Sequence, residues 1–155
     1  ENSSDLIWAV DMDGALTYVS PAVERIRGVA RDEELSASWF DRMPPQFAAA
    51  ASARVAADLT ALRAGTPIER VPRVVQAYRS DGSLLWVETV MNPLHDDAGK
   101  PVGLCGTTRD ITARHQAEEA LRRSKDRFNK LFSSSPVGIS LTPTTWRWRI
   151  LREAS

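Results

Sequence analysis

Apolar and polar positions along the chain fall into two short strand-like runs, a helical stretch, three longer strand-like runs and a final charged helical pattern. Residues 5–10, DLIWAV, and 15–19, ALTYV, flank Asp11-Met-Asp-Gly14. There the glycine accepts positive φ and the aspartates can bond the turn backbone, so the two runs form a hairpin. Ser20-Pro21 puts a cap residue before a proline at the first helical position, which predicts a helix over 21–27 stopped by Gly28. Residues 31–40 read as another short helix with Trp39 and Phe40 on a buried side, and Met43-Pro-Pro45 breaks it. Over 45–64, Phe47, Ala51, Val55, Leu59 and Leu62 recur at spacings of four and three in an alanine-rich background, the mark of a helix with one apolar stripe. Gly65-Thr-Pro67 ends it.

Three strands follow, over 71–79, 84–94 and 102–108, separated by an Asp81-Gly82 turn and a polar loop from Asp96 to Pro101. Two strands, several helices, then three strands is a segregated order. It implies an α+β domain with a five-stranded antiparallel sheet and helices on one face.

From residue 113 the pattern turns helical again. Ala117, Leu121, Ser124, Phe128 and Leu131 alternate spacings of four and three, with Glu118, Glu119, Arg122, Lys125 and Arg127 off that seam. Two readings are open: a heptad seam that pairs with a second copy, or a solvated amphipathic helix packed on its own sheet. Residues 135–155 loosely echo 5–20: an apolar strand, a turn, a returning strand and a final serine. An array of repeats would begin its next unit at this place. The expected organisation is therefore a domain over 1–112, a linker helix over 113–132 and the first hairpin of a second unit over 133–155. An isolated hairpin is marginal, so this one must pack on a neighbour or pair with another chain.

Composition changes little in this picture. The 43% hydrophobic and 26% charged residues are those of a globular chain. Twenty basic and twenty acidic residues cancel, so no global field favours nucleic acid or an anionic membrane. No run approaches the ~20 apolar residues of a membrane span. The start, ENSSDL, lacks a basic region followed by an apolar stretch, so no signal peptide is expected, and an opening without Met reads as an excised piece. One cysteine, Cys105, fits a reducing cytoplasm.

Two segments, DLIWAVDMDGALTYVSPAVERIRG at 5–28 and YRSDGSLLWVETVMNPLHDDAGKPVGLCGTTRDIT at 78–112, together resemble the PAS sensory family with its C-terminal PAC half. The second is the more specific, with its DG turn, following tryptophan, N-P-L, acidic-Gly loop and closing RDIT. The resemblance implies a sheet in 2-1-5-4-3 order with helices over one face. It also implies a regulatory role upstream of a histidine kinase, a cyclic-dinucleotide enzyme or a regulator in the same chain, commonly as a homodimer in the cytoplasm.

The same resemblance bears on cofactors. Relatives that bind flavin covalently carry a reactive cysteine on a helix over the sheet, yet residues 35–50 hold none. Positions from which flavin-binding relatives aim amides inward fall here on Ala77, Val87 and Thr108. Haem-binding relatives place an axial ligand on the long helix, whereas His95 ends a strand and His115 sits on the linker. Neither flavin, haem nor a metal is expected, and an unidentified small molecule is the one candidate ligand left open.

Strand alternation sets Val75, Ala77, Val87, Thr89, Met91, Leu104, Gly106 and Thr108 on one sheet face, under Phe47, Val55 and Leu59, with Trp8 and Tyr18 entering from the hairpin. This interior is either a ligand pocket or a filled core. Asp110, Ile111 and Thr112 form the strand-to-helix joint, with Thr112 as a helix cap and Asp110 pairing with a cation or backbone donor. The joint is either the point of signal transmission or static. No nucleophile motif, phosphate loop or acidic metal pair marks an enzyme. The function classes that stand are a sensory module that detects a small molecule or partner, and a ligand-free scaffold for dimerisation.

Overall fold

The computed structural model describes residues 5–133. Strands β1 (Leu6–Asp11), β2 (Leu16–Val19), β3 (Arg73–Tyr78), β4 (Leu84–His95) and β5 (Pro101–Asp110) form one antiparallel sheet in the order β2-β1-β5-β4-β3. Helices α1 (Ala22–Arg27), α2 (Arg31–Ser36) and α3 (Pro45–Arg63), with a 3-10 turn at Trp39–Arg42, connect β2 to β3, and α4 (Thr112–Ser133) follows β5. The α+β architecture is the one the sequence pattern implied, and the strand order is the one the family resemblance implied. The chain divides into two compact units, one ending at Thr112 and the other beginning at Ala113. The expected second hairpin lies outside the described residues except for Ser133, which is the last residue of α4.

Local chemistry explains each turn. Asp11 Oδ1 accepts the N–H groups of Asp13 and Ala15 at 2.9 and 3.0 Å, closing the first hairpin. In the second hairpin, Asp81 Oδ1 accepts the Ser83 N–H at 2.9 Å and the Ser83 hydroxyl at 2.6 Å. Gly28 sits at φ 70° and its N–H reaches the Glu24 carbonyl at 2.9 Å, the left-handed ending that glycine makes without strain. Pro45 opens α3 at a position where no intrahelical N–H is needed.

Three expectations are corrected. Ser20 does not cap α1 with its side chain; its hydroxyl accepts the Ile7 N–H at 3.0 Å, fastening the helix start to β1. Residues 31–40 are not one helix, because Ala37 is extended and splits α2 from the 3-10 turn that carries Trp39 and Phe40. Strand β5 runs on to Asp110, since Arg109 and Asp110 pair with Glu88 and Val87 of β4.

The core lies between one sheet face and the helices. Leu6, Trp8 and Val10 of β1, Leu85 and Val87 of β4, and Leu104 of β5 meet Val23 and Ile26 of α1 and Val55, Leu59 and Leu62 of α3. Leu85 and Leu104 have no exposed surface. Each such side chain contributes about 1.5–3 kcal/mol of burial. Gly106 lies opposite Trp8, and a Cβ there would meet the indole at 2.1 Å, so only glycine lets the ring lie flat on β5.

Candidate ligand cavity and strand-to-helix joint

A cavity of about 380 Å³ lies between the sheet and its helices, within the range of small-molecule pockets, about 300–1,000 Å³. Register explains its floor. Val75 pairs with Val87, Thr89 with Thr108, and Met91 with Gly106, so alternate residues of β3, β4 and β5 face the same way. Eight of the residues singled out from sequence line the cavity: Trp8, Val55, Val75, Ala77, Val87, Thr89, Met91 and Thr108.

Five others do not. Tyr18 is 44% exposed and faces solvent, its ring beneath the Arg31 guanidinium at 5.6 Å, because β2 is an edge strand whose residue 18 points away from the helices. Phe47 stands edge-on to Trp86. Leu59 packs near the first hairpin, within 3.7 Å of the place a Cβ on Gly14 would take. Leu104 is sealed in the core, and Gly106 is covered by Trp8.

One aromatic wall is built from Trp8 and Trp39, with centroids 5.5 Å apart, and the Phe40 ring lies 4.0 Å from that of Trp39, centroid to centroid. A hydroxyl chain crosses the floor. Trp8 Nε1–H donates to Thr108 Oγ1 at 2.9 Å, and Thr108 and Thr89 share a hydrogen bond of 2.8 Å.

The sequence reading missed the charged wall. Arg27 Nη1 lies 2.6 Å from Glu34 Oε1, with side chains 8% and 4% exposed, and both residues line the cavity. Burial holds the Arg27 guanidinium below its ordinary pKa; Glu34 opposes that shift and Arg42 adds to it. A signal was available, because Arg27 follows Ile26 and lies four residues after Val23 on the buried face of α1. Near the exposed residues Val71 and Arg73, Arg54 reaches Asp58 at 3.1 Å and Glu69 at 3.5 Å, and Arg73 reaches Glu69 at 3.5 Å.

Neither a cysteine nor a histidine lines the cavity. Cys105 alternates with Leu104 and Gly106 and so belongs to the other sheet face, opposite Asn92 and Ala9. A thiol-linked flavin or a histidine-ligated haem therefore does not fit these walls.

The joint at the end of β5 is held tightly. The Trp86 N–H donates to Thr112 Oγ1 at 3.0 Å, and the Trp86 carbonyl accepts the Ile111 N–H at 2.9 Å. The Thr112 hydroxyl lies 2.6 Å from Asp110 Oδ1, which also accepts the Thr112 N–H at 2.9 Å. Asp110 Oδ2 sits 3.7 Å from Arg79, and Ile111 is buried. Thus the carboxylate that takes the first helical N–H is that of Asp110, while the Thr112 hydroxyl fastens the helix start to β4.

On α4, Ala117, Leu121, Ser124, Phe128 and Leu131 are all exposed, Leu121 by 57% and Phe128 by 50%. Phe128 and Phe132 lie 4.4 Å apart, and Arg122 pairs with Glu119 at 2.8 Å. Among the described residues no helix is long and apolar enough to cross a membrane, and no group of three metal-ligating side chains occurs.

Comparison with known proteins places this geometry. The bacterioopsin transcriptional activator of Halobacterium salinarum is 27% identical over 123 residues, covering 79% of this chain and 17% of that protein. The methanogenesis regulatory histidine kinase FilI of Methanothrix harundinacea is 29% identical over 126 residues, covering 81% of this chain and 13% of that protein. The chain thus spans less than a fifth of either relative's length. A sensory box histidine kinase/response regulator from Burkholderia thailandensis superposes with a TM-score of 0.58 at 25% identity, covering 82% of this chain and 92% of that one. The family model described as the PAS fold matches residues 1–116, and the chain belongs to that family as a regulatory domain of the kind found in histidine kinases.

Proposed function

We propose that this PAS domain detects a small molecule in its cavity and passes the change through α4 to an output domain of the same protein, a histidine kinase. The carrying observation is that α3 walls the cavity through Val55 and also touches, through Phe47, the residue that holds the joint, Trp86. A ligand that repositions α3 acts on β4 beside Thr112, and the joint of Asp110, Ile111 and Thr112 sets how α4 leaves the sheet. This is a bistable-element mechanism, in which ligand and output bias the same two arrangements. The proposed setting is a homodimer in the cytoplasm. The exposed seam of Ala117, Leu121, Ser124, Phe128 and Leu131 supports the pairing.

Native mass spectrometry of the purified protein tests detection: a retained small molecule is the expected result. Replacing Asp110 with Ala in the full-length protein tests the joint. An unaltered signal response would remove it from the mechanism.

The exposed seam also supports a second reading, a ligand-free scaffold that dimerises. Solution mass at several concentrations, together with a clean apo mass, separates the two. A dimer that never carries a ligand favours the scaffold.

A further inference from the structure

A polar row crosses the cavity floor. Arg73 of β3 pairs in register with Thr89 of β4, and Thr89 pairs with Thr108 of β5. Residues opposite one another on antiparallel strands share a face, with Cβ atoms about 4.5–5.5 Å apart. All three line the cavity, and exposure falls along the row: Arg73 is exposed, Thr89 half-buried and Thr108 buried. Glu69 and Val71, which also line the cavity, are exposed as well, so its mouth lies at the Arg73 end.

Hydrogen-bond accounting leaves one donor over. Thr108 Oγ1 accepts the Trp8 indole N–H at 2.9 Å and shares one bond of 2.8 Å with Thr89 Oγ1. Two hydroxyls carry two protons, and their mutual bond uses one. If Thr89 donated, the spare proton would belong to buried Thr108, with no acceptor among the described residues. Buried polar groups are nearly always paired, so Thr108 is the donor and the spare proton belongs to Thr89. The chain thus runs from Trp8 through Thr108 and ends at Thr89, one strand from Arg73.

Arg73 sets the charge of the missing partner. Its guanidinium makes one ion pair among the described residues, to Glu69 Oε2 at 3.5 Å, and Arg54 Nη1 lies 3.5 Å from that same oxygen. Arg54 is further held by Asp58 Oδ2 at 3.1 Å and by the Glu69 carbonyl at 2.9 Å, which leaves Arg73 the less engaged of the two. A hydroxyl donor and a weakly paired guanidinium side by side suit a carboxylate. The neighbouring lining, Val75, Val87 and Met91 with Val55 of α3, is apolar. At the mouth a carboxylate keeps water on its outer side, so the cost of burying an ion is largely avoided.

We propose that the cavity takes a monocarboxylate with an apolar body, of which a medium-chain fatty acid is the simplest case. One carboxylate oxygen accepts from Thr89, the other pairs with Arg73 in competition with Glu69, and the body lies among Val55, Val75, Val87 and Met91. This rests on the sensory reading above, and its test is separable from that of the reading.

The test measures binding to the full chain by calorimetry with three probes of one chain length: octanoate, 1-octanol and octyltrimethylammonium. Octanoate is expected to bind about tenfold or more tightly than either of the others, the scale of one charge-assisted contact. Its affinity should fall as salt rises, because the pairing is made at the exposed mouth, while that of 1-octanol should not. Arg73→Gln is expected to weaken octanoate about tenfold and to leave 1-octanol within about twofold, which shows that the cavity is intact. Thr89→Val, which keeps the side-chain shape, is expected to weaken octanoate by roughly five- to tenfold. Equal or tighter binding of 1-octanol or octyltrimethylammonium overturns the proposal, as does an Arg73→Gln variant that binds octanoate like the parent. So does the absence of octanoate binding at millimolar concentration. A small molecule of another class retained in native mass spectrometry would then leave the sensory reading standing without this ligand class.

Discussion

Phe47 of α3 meets Trp86 of β4 edge to face, with ring centroids 6.1 Å apart and planes at 81°. Such pairs contribute about 0.5–1.5 kcal/mol beyond their buried area. The backbone of Trp86 bonds both Ile111 and Thr112, so two contacts lead from a cavity-walling helix to the start of α4. A double-mutant cycle with Phe47→Leu and Trp86→Leu should return a coupling energy of about 0.5–1.5 kcal/mol in urea unfolding. In the full-length protein Phe47→Leu should leave ligand affinity within about twofold, since Phe47 does not line the cavity, while reducing the output response. An unchanged response would take this pair out of the route.

Thr112→Val keeps the shape of the side chain and removes the hydroxyl that accepts from Trp86. The loss of this partly buried bond should cost about 1–2 kcal/mol. Amide exchange at Trp86 should accelerate in the same variant, with exchange in β1 and β2 left as it was. Uniform acceleration across the sheet would show a global effect instead of a local fastening.

Glu34→Ala strands the Arg27 guanidinium in the cavity wall, where its side chain is 8% exposed. Removing one partner of a buried pair costs about 3–5 kcal/mol. The double substitution Arg27→Leu, Glu34→Leu should recover most of that loss, because it removes the uncompensated charge along with its partner. Chemical denaturation of the three proteins checks the order; a double variant no more stable than Glu34→Ala would count against it.

Gly106→Ala places a methyl group where the Trp8 indole lies. Overpacking of this kind costs about 1–3 kcal/mol. It should also pull Trp8 Nε1 from Thr108, so the indole N–H resonance of Trp8 should shift upfield together with a lower Tm.

At the β3–β4 turn, the two bonds from Ser83 hold the Asp81 carboxyl below its ordinary pKa. A folded-state pKa below the unfolded value means that the turn is stabilised above the ordinary carboxylate range. That contribution is lost as pH falls through the depressed value. Ser83→Ala should therefore raise the Asp81 midpoint in an NMR titration and make stability less sensitive to pH in the acid range. An unmoved midpoint would assign the shift to another neighbour.

How much of this was legible in the sequence follows from the range of each signal. The sheet and α3 were legible because period-two and period-3.6 patterns are local, and residues such as Val87, Thr89 and Thr108 came together once the strand order was known. Tyr18 was misplaced because a four-residue edge strand carries too little alternation to fix its face, and a register shift occurs on its partner between Ala9 and Val10. Trp39 was expected on a buried side, but the break at Ala37 that aims it at the cavity has no glycine or proline to mark it. The Arg27–Glu34 pair spans two helices across Gly28, and no single-helix spacing rule connects them. Phe47–Trp86 is a contact between distant segments, and nothing local in either segment announces it.

The stack of Trp8 on Trp39 has a spectroscopic consequence. Two indoles 5.5 Å apart and tilted by 33° are close enough for their electronic transitions to couple. Their joint near-ultraviolet circular dichroism therefore depends on the angle between the rings. An occupant that turned either ring would change that signal, which would then serve as an optical gauge of cavity occupancy, readable without label or dye.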